Sequence, residues 1–381
     1  MNADPRPDLD TLLAAEFPLE PGLVYLNHAA VAPWPRRTAD AVRAFAEENA
    51  RLGAARYAAW LEVERRVRAR CAALVNAAAD DIALLKNTSE ALSVVAHGFP
   101  WRSGDNVVIA DEEFPSNRIV WESLRPRGVE VREIALGDHP ERALLAAADG
   151  RTRLISVSSV QYASGRRTDL AALGAECRRR GIAFCVDAIQ GLGALPHDVD
   201  AMRIDFLMAD AHKWLLGPEG IAVFYCRPEW RERLTLHQYG WHMIERAGDY
   251  DRRDWEPAKS ARRFECGSPN MLGIHALDAS LSLLLEVGIE HIERRILARA
   301  ERLFELIRAQ PELELITSSA PGRYGGIVTF RHRRRPAAEL HARLRERNIV
   351  CAARGGGVRF SPHFYTPLAC LEQAVACAAG E

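Results

Sequence analysis

The chain has 381 residues, 48% of them hydrophobic and 27% charged, and a net charge of −1. That is enough apolar material for one large domain and a smaller one, and it sets up no overall field that would draw nucleic acid or an anionic membrane. The eight cysteines form no C-x-x-C pair and have no histidines at zinc spacing, so no metal site is expected and a reducing, cytoplasmic setting is.

The first ten residues, MNADPRPDLD, are acidic and proline-containing, without the basic start and apolar run of a signal peptide. Residues 1–25 read as a leader, and residues 36–76 read as helical. From Asn87 onward short apolar runs alternate with amphipathic stretches. NVVIAD, VEVREI and RTRLISVSSV read as strands, and SNRIVWESLRPRG as a helix ending in glycine. DLAALGAECRRRG reads as a helix with Asp169 at its start and three arginines before Gly181, matching the helix dipole. IAFCVDA, DFLMAD and GIAVFYC follow as three more strands. Continuous apolar strands separated by helices predict an α/β fold: a mostly parallel central sheet flanked by helices on both faces.

Past Asn270 the pattern changes. Helices over 272–286 and 289–310 lead to shorter strands (LELIT, GGIVTFRH, NIVCA, GVRFS) and to helices over 336–347 and 367–378. The expected division is therefore a leader (1–25), a large domain (26–270) and a small C-terminal α/β domain (271–381). No uninterrupted apolar run is long enough to span a bilayer.

Within DFLMADAHKWLLGPEG stands Lys213, one of only three lysines among 50 basic residues, the others being Lys86 and Lys259. An ordinary lysine would lay its stem on apolar neighbours and keep its ammonium in water. A chain that uses arginine at nearly every cationic position has little need of lysine for that. Arginine cannot lose its proton and attack a carbonyl, whereas a desolvated lysine can.

Asp187 directly follows the apolar run AFCV and precedes Gln190, Gly191 and Gly193. It reads either as a helix cap or as a carboxylate on the rim where Lys213 also falls. In LLKNTSEAL, Asn87 and Glu90 have capping-box spacing, so Thr88 and Ser89 begin a helix. That is either a plain helix start or a phosphate cradle. A phosphate anchor, a rim carboxylate and a buried amine together are what pyridoxal phosphate requires.

At this point the stretch VDAIQGLGALPHDVDAMRIDFLMADAHKWLLGPEGIAVFY resembles the cofactor core of the class V aminotransferase family of fold-type I pyridoxal phosphate enzymes. That family includes cysteine desulfurases, selenocysteine lyases, kynureninase and isopenicillin N epimerase-like proteins. The resemblance extends through YLNHAAVAPWP, NTSEAL, EEFPSN, SSVQYASGRRTDL, RFECGSPNMLGIHAL and GVRFSPHFYT, in order along nearly the whole chain. It implies that Lys213 forms a Schiff base with the cofactor and shuttles a proton, while Asp187 pairs with the pyridine nitrogen. It implies that Gln190 bonds the ring hydroxyl, that Thr88, Ser89 and His212 hold the phosphate, and that Phe114 stacks on the ring. Arg359 would grip the substrate carboxylate. His28 reads either as facing the substrate or as capping the adjacent turn, and Trp241 either as lying near the site or as a core residue. Ser268 would reach a partner subunit's phosphate, which implies a homodimer with its sites at the subunit interface.

Three positions depart from the family's pattern. Asp210 stands where a small residue is usual, as either a capping or a substrate-facing carboxylate, Tyr162 stands where desulfurases have asparagine, and the loop that carries the desulfurase nucleophile is short here, IVCAARGGGVRF. Its one cysteine, Cys351, ends an apolar strand, so a mobile thiolate is not expected. The reading is a pyridoxal phosphate-dependent aminotransferase or lyase acting on an α-amino acid. The alternatives are a cysteine or selenocysteine desulfurase and a non-catalytic pyridoxal phosphate-binding module.

Overall fold

The computed structural model describes residues 9–380. The chain enters through α1 (Leu9–Glu16) and β1 (Val24–Tyr25), then two long helices, α2 (Arg36–Leu52) and α3 (Tyr57–Val75). The large sheet is assembled next: β2 (Ile82–Leu85), α4 (Thr88–Gly98), β3 (Asn106–Ala110), α5 (Ser116–Glu122), β4 (Glu130–Ile134), α6 (Pro140–Ala147), β5 (Thr152–Ser158), α7 (Leu170–Arg180), β6 (Ala183–Asp187), β7 (Phe206–Asp210) and β8 (Ala222–Cys226). A short α8 (Pro228–Arg231) and a long irregular stretch lead to α9 (Met271–Val287) and α10 (Ile289–Arg308). The chain ends with β9 (Leu313–Leu315), β10 (Val328–His332), α11 (Ala337–Glu346), β11 (Ile349–Val350), β12 (Ala352–Arg354), β13 (Gly357–Phe360) and α12 (Leu368–Ala379).

The seven-stranded sheet has the order β2-β8-β7-β6-β5-β3-β4. Only β8 runs against its neighbours; the other pairings are parallel. Every residue of β3, β6, β7 and β8 is buried, which is why these strands read as unbroken apolar runs. Alternation along each strand divides the core in two. Val108, Ala110, Phe184, Val186, Leu207 and Ala209 face the side covered by α3, α7 and α9. Val107, Ile109, Ala183, Cys185, Phe206 and Met208 face α4 and α5.

The expected helix at 170–180 forms with both of its signals in use. Asp169 Oδ1 accepts from the Ala172 N–H at 3.0 Å, and Gly181 takes the left-handed conformation at φ 68°. Asn270, after which the second domain is expected, is the N-cap of α9, and α9 packs its apolar residues into the core of the large sheet. The small sheet, β12-β13-β10-β9, is antiparallel and is covered by α10, α11 and α12. Residues 24–25 are tied to the C-terminal part of the chain, because β1 pairs with β11, Val24 opposite Ile349. Among the described residues no single helix is long and apolar enough to cross a membrane.

Candidate active site

The carboxyl ends of β2, β3, β5, β6 and β7 open on one rim, the side on which doubly wound sheets bind ligands. β6 and β7 are neighbours, with Asp187 opposite Met208. The rim carboxylate and the Lys213 turn thus issue from adjacent strands.

Lys213 sits in a tight turn after β7. The Leu216 N–H donates to Lys213 O at 3.1 Å and the Gly217 N–H to Ala211 O at 2.8 Å. Trp214, Leu215 and Leu216 are wholly buried and anchor the turn in the core. Gly193 lies so close that a Cβ there would run into the carbonyl of Trp214. Lys213 itself is buried, and among the described residues its Nζ has no hydrogen-bond or ion-pair partner. The Phe114 ring centroid lies 5.7 Å from it. Burial, and behind it the charges of Arg359 and Arg354, lower its pKa below that of an ordinary lysine, against the pull of Asp187 and Asp210.

Asp187 is 1% exposed and accepts from the Ile189 N–H at 3.0 Å. Burial pushes its pKa up, Glu113 adds to that, and Lys213 opposes it. A carboxylate this deep, with so few donors, is suited to a cation or an N–H placed against it.

Glu113 was not singled out in the sequence, and it organises the neighbouring loops. Its carboxylate accepts from the Ser158 N–H, Asn117 Nδ2 and Gln161 Nε2, each at 2.8 Å, and from the Ser158 hydroxyl. Asn117 in turn accepts from Trp121 Nε1 at 2.9 Å and Ser156 Oγ at 2.6 Å. Burial raises the Glu113 pKa and these donors pull it back. The network fixes the loops after β3 and β5, and the next residue, Phe114, stands over the rim 38% exposed, edge-on to Tyr162.

At the start of α4 the Glu90 N–H donates to Asn87 Oδ1 at 2.8 Å, as the capping-box spacing predicts. Glu90 reaches back to the Lys86 N–H, one residue earlier than in the usual box. The Ser89 hydroxyl donates to Ser116 Oγ at 2.8 Å. Thr88 meets Asp210: its N–H donates to Asp210 Oδ1 and its Oγ1 accepts from the Asp210 N–H, both at 3.0 Å. Asp210 therefore clasps the α4 N-terminus, the capping one of its two readings, with its second oxygen 4.0 Å from His212 Nδ1. His212 is lowered to about 4 by burial and the Lys213 charge, which makes it a neutral imidazole.

The remaining expected residues divide. Arg359, on β13, is buried and donates from Nη1 to Tyr162 O at 2.7 Å, while its Nε is buried without a partner. The Gln190 amide is engaged on both sides, donating to Ala29 O at 3.0 Å and accepting from Trp214 Nε1 at 2.9 Å. It keeps one N–H and one lone pair for a ligand. His28 is fully buried, with Nδ1 2.8 Å from Ser361 O and Nε2 2.6 Å from Tyr365 Oη. These contacts tie the segment after β1 to the segment after β13. Ser268 is exposed near Lys86, Glu90 and Asn270. Cys351 is buried, and burial pushes its thiol up to about 12. A buried Glu64, His242 and Glu265 cluster already has a cation across it, for Arg68 donates to both glutamates.

The donor set fits pyridoxal phosphate. It offers an unpartnered buried amine, a deep carboxylate with one donor, a hydroxyl-bearing helix start with an adjacent neutral imidazole, and an arginine with an unmet N–H.

Comparison with known proteins agrees with this geometry. The family model described as aminotransferase class-V matches residues 24–365. A probable cysteine desulfurase of Methanothermobacter thermautotrophicus is 31% identical over 377 residues, 92% of each chain. An uncharacterized aminotransferase of Bacillus subtilis, YcbU, is 31% identical over 77% of each chain. Among solved structures, the cystine C–S lyase C-DES in complex with cysteine persulfide superposes with a TM-score of 0.87 at 23% identity, covering 94% of this chain and 97% of that one. The apo cysteine desulfurase of Thermococcus onnurineus superposes at 0.85, also 23% identical, covering 99% and 98%. At that identity the likeness establishes the fold.

Proposed function

The chain belongs to the class V aminotransferase family, and from that premise we propose that it is a pyridoxal phosphate-dependent aminotransferase or lyase that works on a free α-amino acid without a cysteine nucleophile. The observation that carries this reading is the Lys213 amine. It is buried, has no partner among the described residues, and is held toward its neutral form on the rim shared with Asp187.

When bound, pyridoxal phosphate supplies a conjugated ring that stabilises negative charge at the substrate's Cα. Thr88, Ser89 and His212 are the groups for its phosphate, Asp187 for its pyridine nitrogen, Lys213 for its aldehyde and Phe114 for its ring face. Asp187, kept in a dry pocket, holds a proton at that nitrogen by charge and hydrogen bond. Arg359 grips the α-carboxylate through the N–H groups not spent on Tyr162 O. Lys213, in its neutral form and no longer engaged at the aldehyde, would take the Cα proton, and its fixed position would make that transfer intramolecular.

A second reading, removal of sulfur from cysteine, is supported by the name of the relative that is 31% identical over 92% of this chain. Cys351 speaks against the form of it that needs a nucleophilic thiol. We further propose a homodimer, supported by exposed Tyr239, Trp241, Tyr250 and Trp255 along one irregular stretch, and a reducing, cytoplasmic setting, supported by eight free cysteines.

The test is a borohydride-trapping experiment followed by an amino-acid screen. Pyridoxal phosphate should give the protein a visible band, and reduction should fix its mass on the Lys213 peptide. Lys213→Ala should lose both. Each common amino acid is then added and the product identified by mass. Covalent retention by Lys213→Ala, or a band that no amino acid perturbs, would overturn the reading.

A further inference from the structure

Two arginines face the same side of the β12–β13 hairpin. In the antiparallel register Ala352 pairs with Arg359 and Arg354 with Gly357. Residues directly opposite share a face, and so do residues two apart on one strand. Arg354 and Arg359 are therefore diagonal neighbours on one face, a spacing of about 7–8 Å in such a pair. That face is turned toward the rim. Arg359 donates to Tyr162 O, Gly355 at the hairpin tip rests against Ala163, and the charges of both arginines act on Lys213.

Among the described residues no anion balances this pair. Among the described residues no carboxylate lies within ion-pair reach of Arg359, and the charge beside it is that of Arg354. Arg354 is exposed, and among the described residues it has no carboxylate within ion-pair reach. Elsewhere in the same sheet Arg331 is matched by Glu314, which Arg333, just past the strand, also reaches. One guanidinium suffices for an α-carboxylate. A second one held beside it on the same face, uncompensated, suits a substrate that brings two anions.

We propose that Arg354 binds a second anionic group at the far end of the substrate, so that the enzyme selects α-amino acids with an acidic side chain. The proposal rests on the reading of Arg359 as the α-carboxylate group. The shared chemistry is a terminal carboxylate or sulfinate, and it has three sources: aspartate or glutamate, cysteine sulfinate, or the distant carboxylate of cystine.

The holoenzyme is titrated with each of these, with asparagine and glutamine as neutral matches and alanine as the minimal ligand, following the visible band of the bound cofactor. At least one acidic compound should bind about tenfold more tightly than its neutral match or than alanine, as expected for one charged hydrogen-bonded contact. Arg354→Gln should remove that preference and leave alanine affinity within about twofold, and Arg354→Lys should keep part of it. Equal affinity for acidic and neutral compounds in the parent, or an equal loss for all ligands in Arg354→Gln, would overturn the second-anion site alone. Failure to take up pyridoxal phosphate at all would overturn the cofactor reading and this proposal with it.

Discussion

Thr88 and Asp210 hold each other by two reciprocal hydrogen bonds of 3.0 Å, joining the first turn of α4 to the end of β7. The clasp places a carboxylate beside the groups assigned to phosphate. Burial is the main reason that Asp210 is pushed up to about 6, with the Thr88 N–H and Lys213 pulling it down. A carboxyl that holds its proton more tightly folded than unfolded makes stability fall as pH rises from about 4 to about 6. Asp210→Asn keeps the acceptor for Thr88 and removes the titration. In cofactor-free protein the variant should match the parent near pH 4 and exceed it by ~1–3 kcal/mol at pH 7. Thermal melts of both proteins across that range check this; parallel curves would count against a buried, titrating Asp210.

Gly193 sets how closely β6's following turn can approach the Lys213 loop. It has φ +93°, and a Cβ would strike the Trp214 carbonyl, which is backbone and cannot rotate away. Gly193→Ala should cost about 2–4 kcal/mol from strain and displaced core. It should also shift Lys213 and weaken uptake of pyridoxal phosphate, read by equilibrium dialysis. The comparison that matters is Gly22→Ala, which has a positive φ but open space around it and should cost less.

What the sequence made legible was whatever local pattern specifies. Buried strands appear as apolar runs, α7 carries its own cap and dipole signals, and Lys213 stands out by composition. Residues whose meaning depends on a distant partner were not legible. Asp210 is explained by Thr88, 122 residues away. Glu113 lies in a polar stretch that looks solvent-exposed, and only the meeting of the β3 and β5 loops buries it and supplies its donors. His28 reads from its own stretch as either substrate-facing or a turn cap, and its partners Ser361 and Tyr365 come from the far end of the chain.

Glu113 gives a sharp test of that hidden network. All its acceptor capacity toward Ser158, Asn117 and Gln161 faces donors. In Glu113→Gln one oxygen becomes an NH2 group, so whichever way the amide turns, donor meets donor in a buried site. A loss of about 2–4 kcal/mol is expected in chemical denaturation. A loss under about 0.5 kcal/mol, in the range of surface substitutions, would mean the network is not built as described.

Cys351 separates a lyase from a thiol-dependent desulfurase. Its burial pushes the thiol up to about 12, leaving almost no thiolate near neutral pH, and its own carbonyl is tied to His341 Nε2 at 3.1 Å. A persulfide carrier needs the opposite, an exposed thiol held as thiolate by nearby positive charge. Iodoacetamide should therefore leave Cys351 unmodified in the folded holoenzyme and label it after denaturation, with half-buried Cys266 and Cys370 as internal references. If cysteine is a substrate, Cys351→Ala should release sulfide within about twofold of the parent rate, since no thiolate is being removed. Loss of sulfide release in a Cys351→Ala protein that still carries its cofactor band would return the thiol to the mechanism.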